Sequence, residues 1–213
     1  MTPDRVERWV RRCGAGPALF FVVAVFWGLW KSSRRPIGRV SGRMPAFLRH
    51  SFWVALVAGF LFFPLMVALW KPLPLRLSTG ARRLALFMGA LAYFPGLALM
   101  IWGRLALGDM YGVSSGLGAQ LYTGHRLITS GPYSIVRHPM YLGAQFAGLG
   151  SVLLYRTWAT LFLAAILPVM VVRARREEDA LKAEFGKRWE AYACSVPAWI
   201  PRLKGNRIST RPL

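Results

Sequence analysis

Arg137 and His138 stand directly before Pro139 in the stretch GPYSIVRHPMYLG, residues 131–143. Proline suits the first turn of a helix, where its missing N–H leaves no bond unmade. Residues 131–138 therefore read as a loop leading into a helix. The free N–H groups of a helix start favour an anion. Arg137 and His138 add donors there, and Tyr133 and Tyr141 add hydroxyls and flat faces. Arg and Tyr are also ordinary anchors at headgroup depth, so an anion site and an interfacial anchor are both open on these residues alone. A second cluster is RARREED, residues 173–179. Arg173 and Glu177 lie one turn apart on a helix face that Leu181, Phe185 and Trp189 continue, while Glu178 and Asp179 are expected to point elsewhere. This pair reads either as a structural ion pair or as a functional one at a membrane boundary.

Five apolar stretches must position these clusters. They are Cys13–Trp30, Ser51–Trp70, Leu84–Trp102 with a kink or interruption at Pro95-Gly96, Pro139–Tyr155, and Thr157–Val172 with Pro168 near its end. Each approaches the roughly 20 residues that cross a bilayer as a helix. The predicted fold is all-α, an integral membrane bundle of about five transmembrane helices over residues 1–213. The last two form a tight hairpin, with Arg156 at its tip snorkelling to the far interface. The segment after Arg173 is predicted to be an amphipathic helix capping the site. A tight hairpin returns Arg137-His138 and Arg173-Glu177 to one membrane face. Cations, an imidazole, a carboxylate and aromatics then converge there, suited to a ligand with a carboxylate, hydroxyls and a flat ring.

Lys and Arg total 28 against 8 Asp and Glu, a formal net charge of +20. In a soluble chain this would suggest nucleic acid. Beside these apolar stretches it reads as membrane topology, and no nucleic-acid partner is expected. With five spans, roughly two thirds of the basic residues fall on the side that holds the C-terminus, which is therefore expected to be cytoplasmic. The basic loop 31–49 is expected to lie against anionic lipid. The tail 203–213 is expected to be disordered. No small-residue cleavage site follows the first apolar stretch, so it is expected to remain as a span. Cys13 and Cys194 have no metal or redox spacing and are expected to be free thiols, with no metal site.

The segment GHRLITSGPYSIVRHPMYLG, followed one hairpin later by REEDALKAEFGKRWEAYACSVPAWIP, resembles the isoprenylcysteine carboxyl methyltransferase family of integral membrane enzymes. More broadly it is similar to the membrane phospholipid methyltransferases. The resemblance covers about residues 104–201, and the N-terminal spans match only as generic apolar helices. It implies S-adenosyl-L-methionine as cofactor and a lipophilic acceptor entering from the bilayer. Carried over by position, cofactor contacts fall on His125, Arg126, Leu127, Ile128, Tyr133, His138, Pro139, Met140, Tyr141 and Glu177. The substrate-side arginine falls on Arg173, which with Glu177 makes the catalytic pair. Where eukaryotic members carry a Gln upstream, this chain has Gly118, with Gln120 nearby. The loop GDMYGVSSGLGAQLY also departs from the usual Asn-Trp-Ser pattern. The implied acceptor is the carboxylate of an isoprenylcysteine-like substrate. A phospholipid amine, a small thiol, or a non-catalytic role in binding anionic lipid are the alternatives.

Overall fold

The computed structural model describes residues 3–33, 37–41, 51–111, 119–122 and 124–201. Seven helices carry the described chain: α1 (Pro3–Ser33), α2 (Ser51–Ala68), α3 (Thr79–Leu107), α4 (Pro139–Tyr155), α5 (Trp158–Ile166), α6 (Val169–Phe185) and α7 (Lys187–Ser195). One short antiparallel pair, β1 (Ile37–Ser41) with β2 (Ala119–Tyr122), joins two segments that read as loops in the sequence. The Gly118 departure and the tail 203–213 lie outside the described residues.

Among the described residues three helical runs are long and apolar enough to cross a membrane: Arg5–Trp27, Thr79–Met110 and Trp158–Phe185. Their outer surfaces are apolar. Leu19 on α1 is 66% exposed and Phe87 on α3 is 63% exposed, an arrangement that water would penalise and acyl chains solvate. The protein is an integral membrane protein.

The helix boundaries follow local chemistry. The Ser78 side chain accepts from the Ala81 N–H at the start of α3, and Thr157 and Thr160 form a reciprocal capping box at the start of α5. Of the kink or interruption expected at Pro95-Gly96, the interruption does not occur: Pro95 lies inside α3 without ending it. Pro168 does separate α5 from α6. Gly186, at φ 50°, separates α6 from α7, so Leu181 and Phe185 lie on one helix and Trp189 on the next. All three still pack in one cluster around Trp189, Tyr192 and Val196.

The central contact is α3 against α4. With no hydrophobic drive between helices in lipid, close backbone approach through small residues supplies the packing. Gly89, Gly96 and Gly103 recur every seventh residue on α3 and meet α4 around Gly143 and Gly150. A Cβ at Gly96 would stand 2.5 Å from the Ala147 backbone nitrogen, and one at Gly150 would stand 2.5 Å from that of Tyr93. The buried cluster of Tyr93, Leu97, Ala147 and Leu154 lies along this seam. Gly96→Ala should therefore cost about 1–3 kcal/mol, whereas Gly80→Ala, with nothing near its added methyl, should be neutral or slightly stabilising. Thermal denaturation in detergent checks the pair of substitutions.

Tyr93 donates its hydroxyl to the Gly14 carbonyl at 3.1 Å and Tyr155 donates to that of Arg11 at 2.9 Å, fastening α1 to this seam. Arg156, joining α4 to α5, does not snorkel outward. It pairs with Glu7 of α1 and is mostly buried.

Candidate active site

At the other end of the α3–α4 seam the C-terminal part of α3, the loop 124–138, the first turns of α4, and α6 and α7 surround a cavity of about 340 Å³, a volume within the range of small-molecule sites. Its walls include His125, Arg126, Leu127, Ile128, Tyr133, His138, Pro139, Met140, Tyr141, Arg173 and Glu177. All the candidate residues from distant parts of the sequence thus meet at one place. The rest of the lining is largely apolar, including Phe21 and Val25 of α1, Met100 and Leu107 of α3, and Met170 of α6.

Glu177 is the polar centre. Tyr141 donates its hydroxyl to Glu177 Oε1 at 2.5 Å, and Arg173 Nε donates to the same oxygen at 3.3 Å. The Arg173 guanidinium lies 5.9 Å from the centre of the Tyr141 ring, at the outer limit of a cation–π contact. Helical spacing delivers the Arg173–Glu177 pair, as expected from i and i+4. The link to Tyr141 comes from packing α6 beside α4.

Glu178 points away from the Arg173–Glu177 face, as expected, and is not on the cavity wall, but it holds the loop that is, a role the sequence reading did not give it. It accepts from Arg137 Nε at 2.9 Å and lies 2.8 Å from His138 Nε2. Arg137 also donates to the carbonyls of Ala193 and Val196 at 2.8 and 2.9 Å. The backbone N–H groups of Arg137 and His138 donate to the Pro197 and Ala198 carbonyls. The donors expected to receive an external anion are thus engaged by the chain's own carboxylate and carbonyls. They form a clasp that holds the segment after α7 over the loop. His138 is further confined by Tyr141, stacked at 5.8 Å, and by Trp199 at 5.2 Å. The signal for Glu178 was its neighbour in the EED run. It lies about 100° around the helix from Glu177, so the two carboxylates serve two different walls.

Tyr133 is buried and donates to the Gly103 carbonyl at 3.4 Å, and its own carbonyl accepts from the Tyr192 hydroxyl at 2.7 Å. The loop is thereby stapled to α3 on one side and α7 on the other. Burial raises the pKa of the Tyr133 hydroxyl, and the Glu177 charge adds to the rise, so it remains a donor at physiological pH. Burial likewise pushes Tyr192 up to about 12. Burial holds the His125 imidazole below its ordinary pKa, against a smaller opposing pull from Glu184, so it is neutral at pH 7. Its Nδ1 is buried and has no hydrogen-bond partner among the described residues. A buried polar atom in that state on a cavity wall fits a ligand contact.

A cavity with a carboxylate, a neutral imidazole and stapled tyrosines on one side, and Met, Leu and Phe on the other, defines a membrane protein with a site for a ligand part polar and part apolar. The phospholipid methyltransferase family model matches residues 84–188, from α3 to the start of α7. The chain is 34% identical over 79 residues to protein-S-isoprenylcysteine O-methyltransferase B of Arabidopsis thaliana, covering 36% of this chain and 40% of that protein. It is 35% identical over 81 residues to protein-S-isoprenylcysteine O-methyltransferase of Schizosaccharomyces pombe, covering 37% and 34%. It is 37% identical over 78 residues to cobalt-zinc-cadmium resistance protein CzcN of Cupriavidus metallidurans, covering 36% of each chain. The chain therefore spans less than half the length of the curated relatives it matches. Residues 84–188 thus match the phospholipid methyltransferase family model, and about a third of the chain resembles isoprenylcysteine O-methyltransferases.

Proposed function

We propose that this protein is a membrane methyltransferase that binds S-adenosylmethionine in the cavity and methylates a lipophilic acceptor. The observation that carries the proposal is the convergence of His125–Ile128, Tyr133, His138–Tyr141, Arg173 and Glu177 on one cavity.

The side chains suit such a cofactor. It would supply a methyl group already activated on a sulfonium, so the protein's tasks are to hold, orient and exclude water. Glu177 can accept hydrogen bonds from hydroxyl or amino groups, and its charge favours a cation nearby. The neutral His125 places no opposing charge in the site, and its unpartnered Nδ1 offers one further polar contact. The clasp of Arg137, His138 and Glu178 fixes the loop that carries Tyr133 and His138 to α6 and to the end of α7. Arg173 presents a planar fork that can hold a carboxylate.

The apolar lining from Phe21, Val25 and Met170 favours an acceptor delivered from the bilayer. An isoprenylcysteine-like carboxylate is the reading that Arg173 supports best. Relatives with unlike names match stretches of similar length. The acceptor named for one such relative therefore does not carry over to this chain by similarity alone. We further take five helices to span the membrane, with the C-terminus cytoplasmic and basic loops against anionic lipid. The test supplies S-adenosylmethionine carrying an isotopically labelled methyl group to membranes that contain the protein. Label should enter a lipid-extractable product in wild type and fall to background in Glu177→Ala. Equal labelling in the two would overturn the proposal.

A further inference from the structure

We propose that Glu7, Arg11, Arg82 and Arg156 form a second site, which binds the phosphodiester of an anionic phospholipid. The site lies at the opposite end of the α3–α4 seam from the cavity. Arg82 is in the first turn of α3 and Arg156 follows the last turn of α4, whereas the cavity takes the end of α3 and the start of α4. Twenty-five residues of helix separate Arg82 from Leu107, about 37 Å at the usual rise.

Glu7 is 3% exposed, and three guanidiniums converge on its carboxylate. Arg82 Nε stands 2.5 Å from Oε2, an Arg11 terminal nitrogen stands 2.5 Å from Oε1, and Arg156 also meets Oε1. One carboxylate balances one of these charges. Even Asp4, the neighbouring acidic residue in the sequence, would leave the cluster positive. A latch between α1 and the seam needs only one such cation, because each added partly buried guanidinium brings repulsion and desolvation cost. The surplus positive charge therefore points to a further anion. The carboxylate lies beneath, Arg11 and Arg82 face outward with side chains 33% and 45% exposed, and the mostly buried Arg156 backs them.

The surroundings identify the kind of anion. Trp9 and Trp70 are exposed close by in sequence or space, with the Trp70 ring tilted against Tyr155 at 5.6 Å. Exposed indoles mark headgroup depth. Leu84 and Phe87, exposed on α3 just beyond Arg82, offer apolar surface for an acyl chain. A phosphodiester presents two oxygens to planar guanidiniums, and its lipid tail would use that surface.

The test measures melting of the full chain in neutral detergent with short-chain phosphatidylglycerol, phosphatidylcholine or inorganic phosphate. Native mass spectrometry on the same samples counts retained lipid. Phosphatidylglycerol should raise the melting temperature while the other two do not. Arg82→Gln should weaken phosphatidylglycerol retention about tenfold, whereas Arg83→Gln should leave it unchanged. Glu7→Gln adds net positive charge and should retain the lipid at least as well as wild type. If it fails to fold, the exposed Arg82 position decides alone. The proposal is overturned if phosphatidylcholine or inorganic phosphate stabilises equally. It is also overturned if Arg82→Gln keeps full retention, if Arg83→Gln loses as much, or if folded Glu7→Gln loses the lipid.

Discussion

Arg173→Lys should lower methyl transfer by about tenfold or more, equivalent to roughly 1.4 kcal/mol in the barrier, while cofactor-product affinity and melting temperature stay near wild type. Arg173 and Glu177 sit on one face of α6, both partly buried, and both reach the cavity. Were they only an ion pair, a lysine would keep most of its modest value, about 0.5 kcal/mol for such spacing. A lysine cannot reproduce the planar fork that grips a carboxylate through two parallel hydrogen bonds. A selective loss of turnover with both substrates saturating would place Arg173 on the acceptor side. Full activity toward every acceptor found would remove the carboxylate clamp and favour a phospholipid amine or a thiol.

Glu178→Ala should destabilise the protein by about 2–3 kcal/mol, more than the loss expected at an exposed ion pair. Its carboxylate holds Arg137 and His138 together, and the Arg137 side chain is only 15% exposed. Alanine leaves that guanidinium without its anion while two of its bonds still bind it to the Ala193 and Val196 carbonyls. The loss should propagate, because the same loop supplies Tyr133, His138 and Tyr141 to the cavity. Cofactor-product affinity should therefore fall with stability, and Glu178→Gln, which keeps one acceptor oxygen, should recover part of both. Thermal denaturation and titration of the same samples check this. A variant that melts like wild type would show that the clasp contributes nothing.

The contrast between Glu177 and Glu178 shows what the sequence could carry. Arg173, Glu177 and Leu181 share a helix face by spacing alone, and Pro139 announces a helix start, so both ends of the site were legible. Glu178 was not, because its partners, Arg137 and His138, come from a loop about forty residues earlier. One-helix periodicity sees only one wall of a cavity. The same reason hid Glu7, which precedes the apolar core of its helix and finds Arg82 and Arg156 only after α1 packs on the α3–α4 seam. The apolar stretches located the helices but not their ends: α1 begins at Pro3 and α3, capped by Ser78, at Thr79, well before the uncharged runs. Gly186 divided a pattern that read as one amphipathic helix, since a positive φ outweighs hydrophobic periodicity. Pro95, in contrast, was absorbed within α3. The β1–β2 pair joins segments with no clear strand alternation and could be found only by their meeting.

The central claim, a cofactor cavity centred on Glu177, is tested most directly by calorimetric titration of detergent-purified protein with S-adenosylhomocysteine. Wild type should show saturable binding at one site per chain. Glu177→Ala should bind about 10- to 100-fold more weakly, as expected for removal of a charged hydrogen-bond acceptor. Absence of binding heat across the titration temperatures, in wild-type protein that melts cooperatively, would contradict it, as would unchanged affinity in Glu177→Ala.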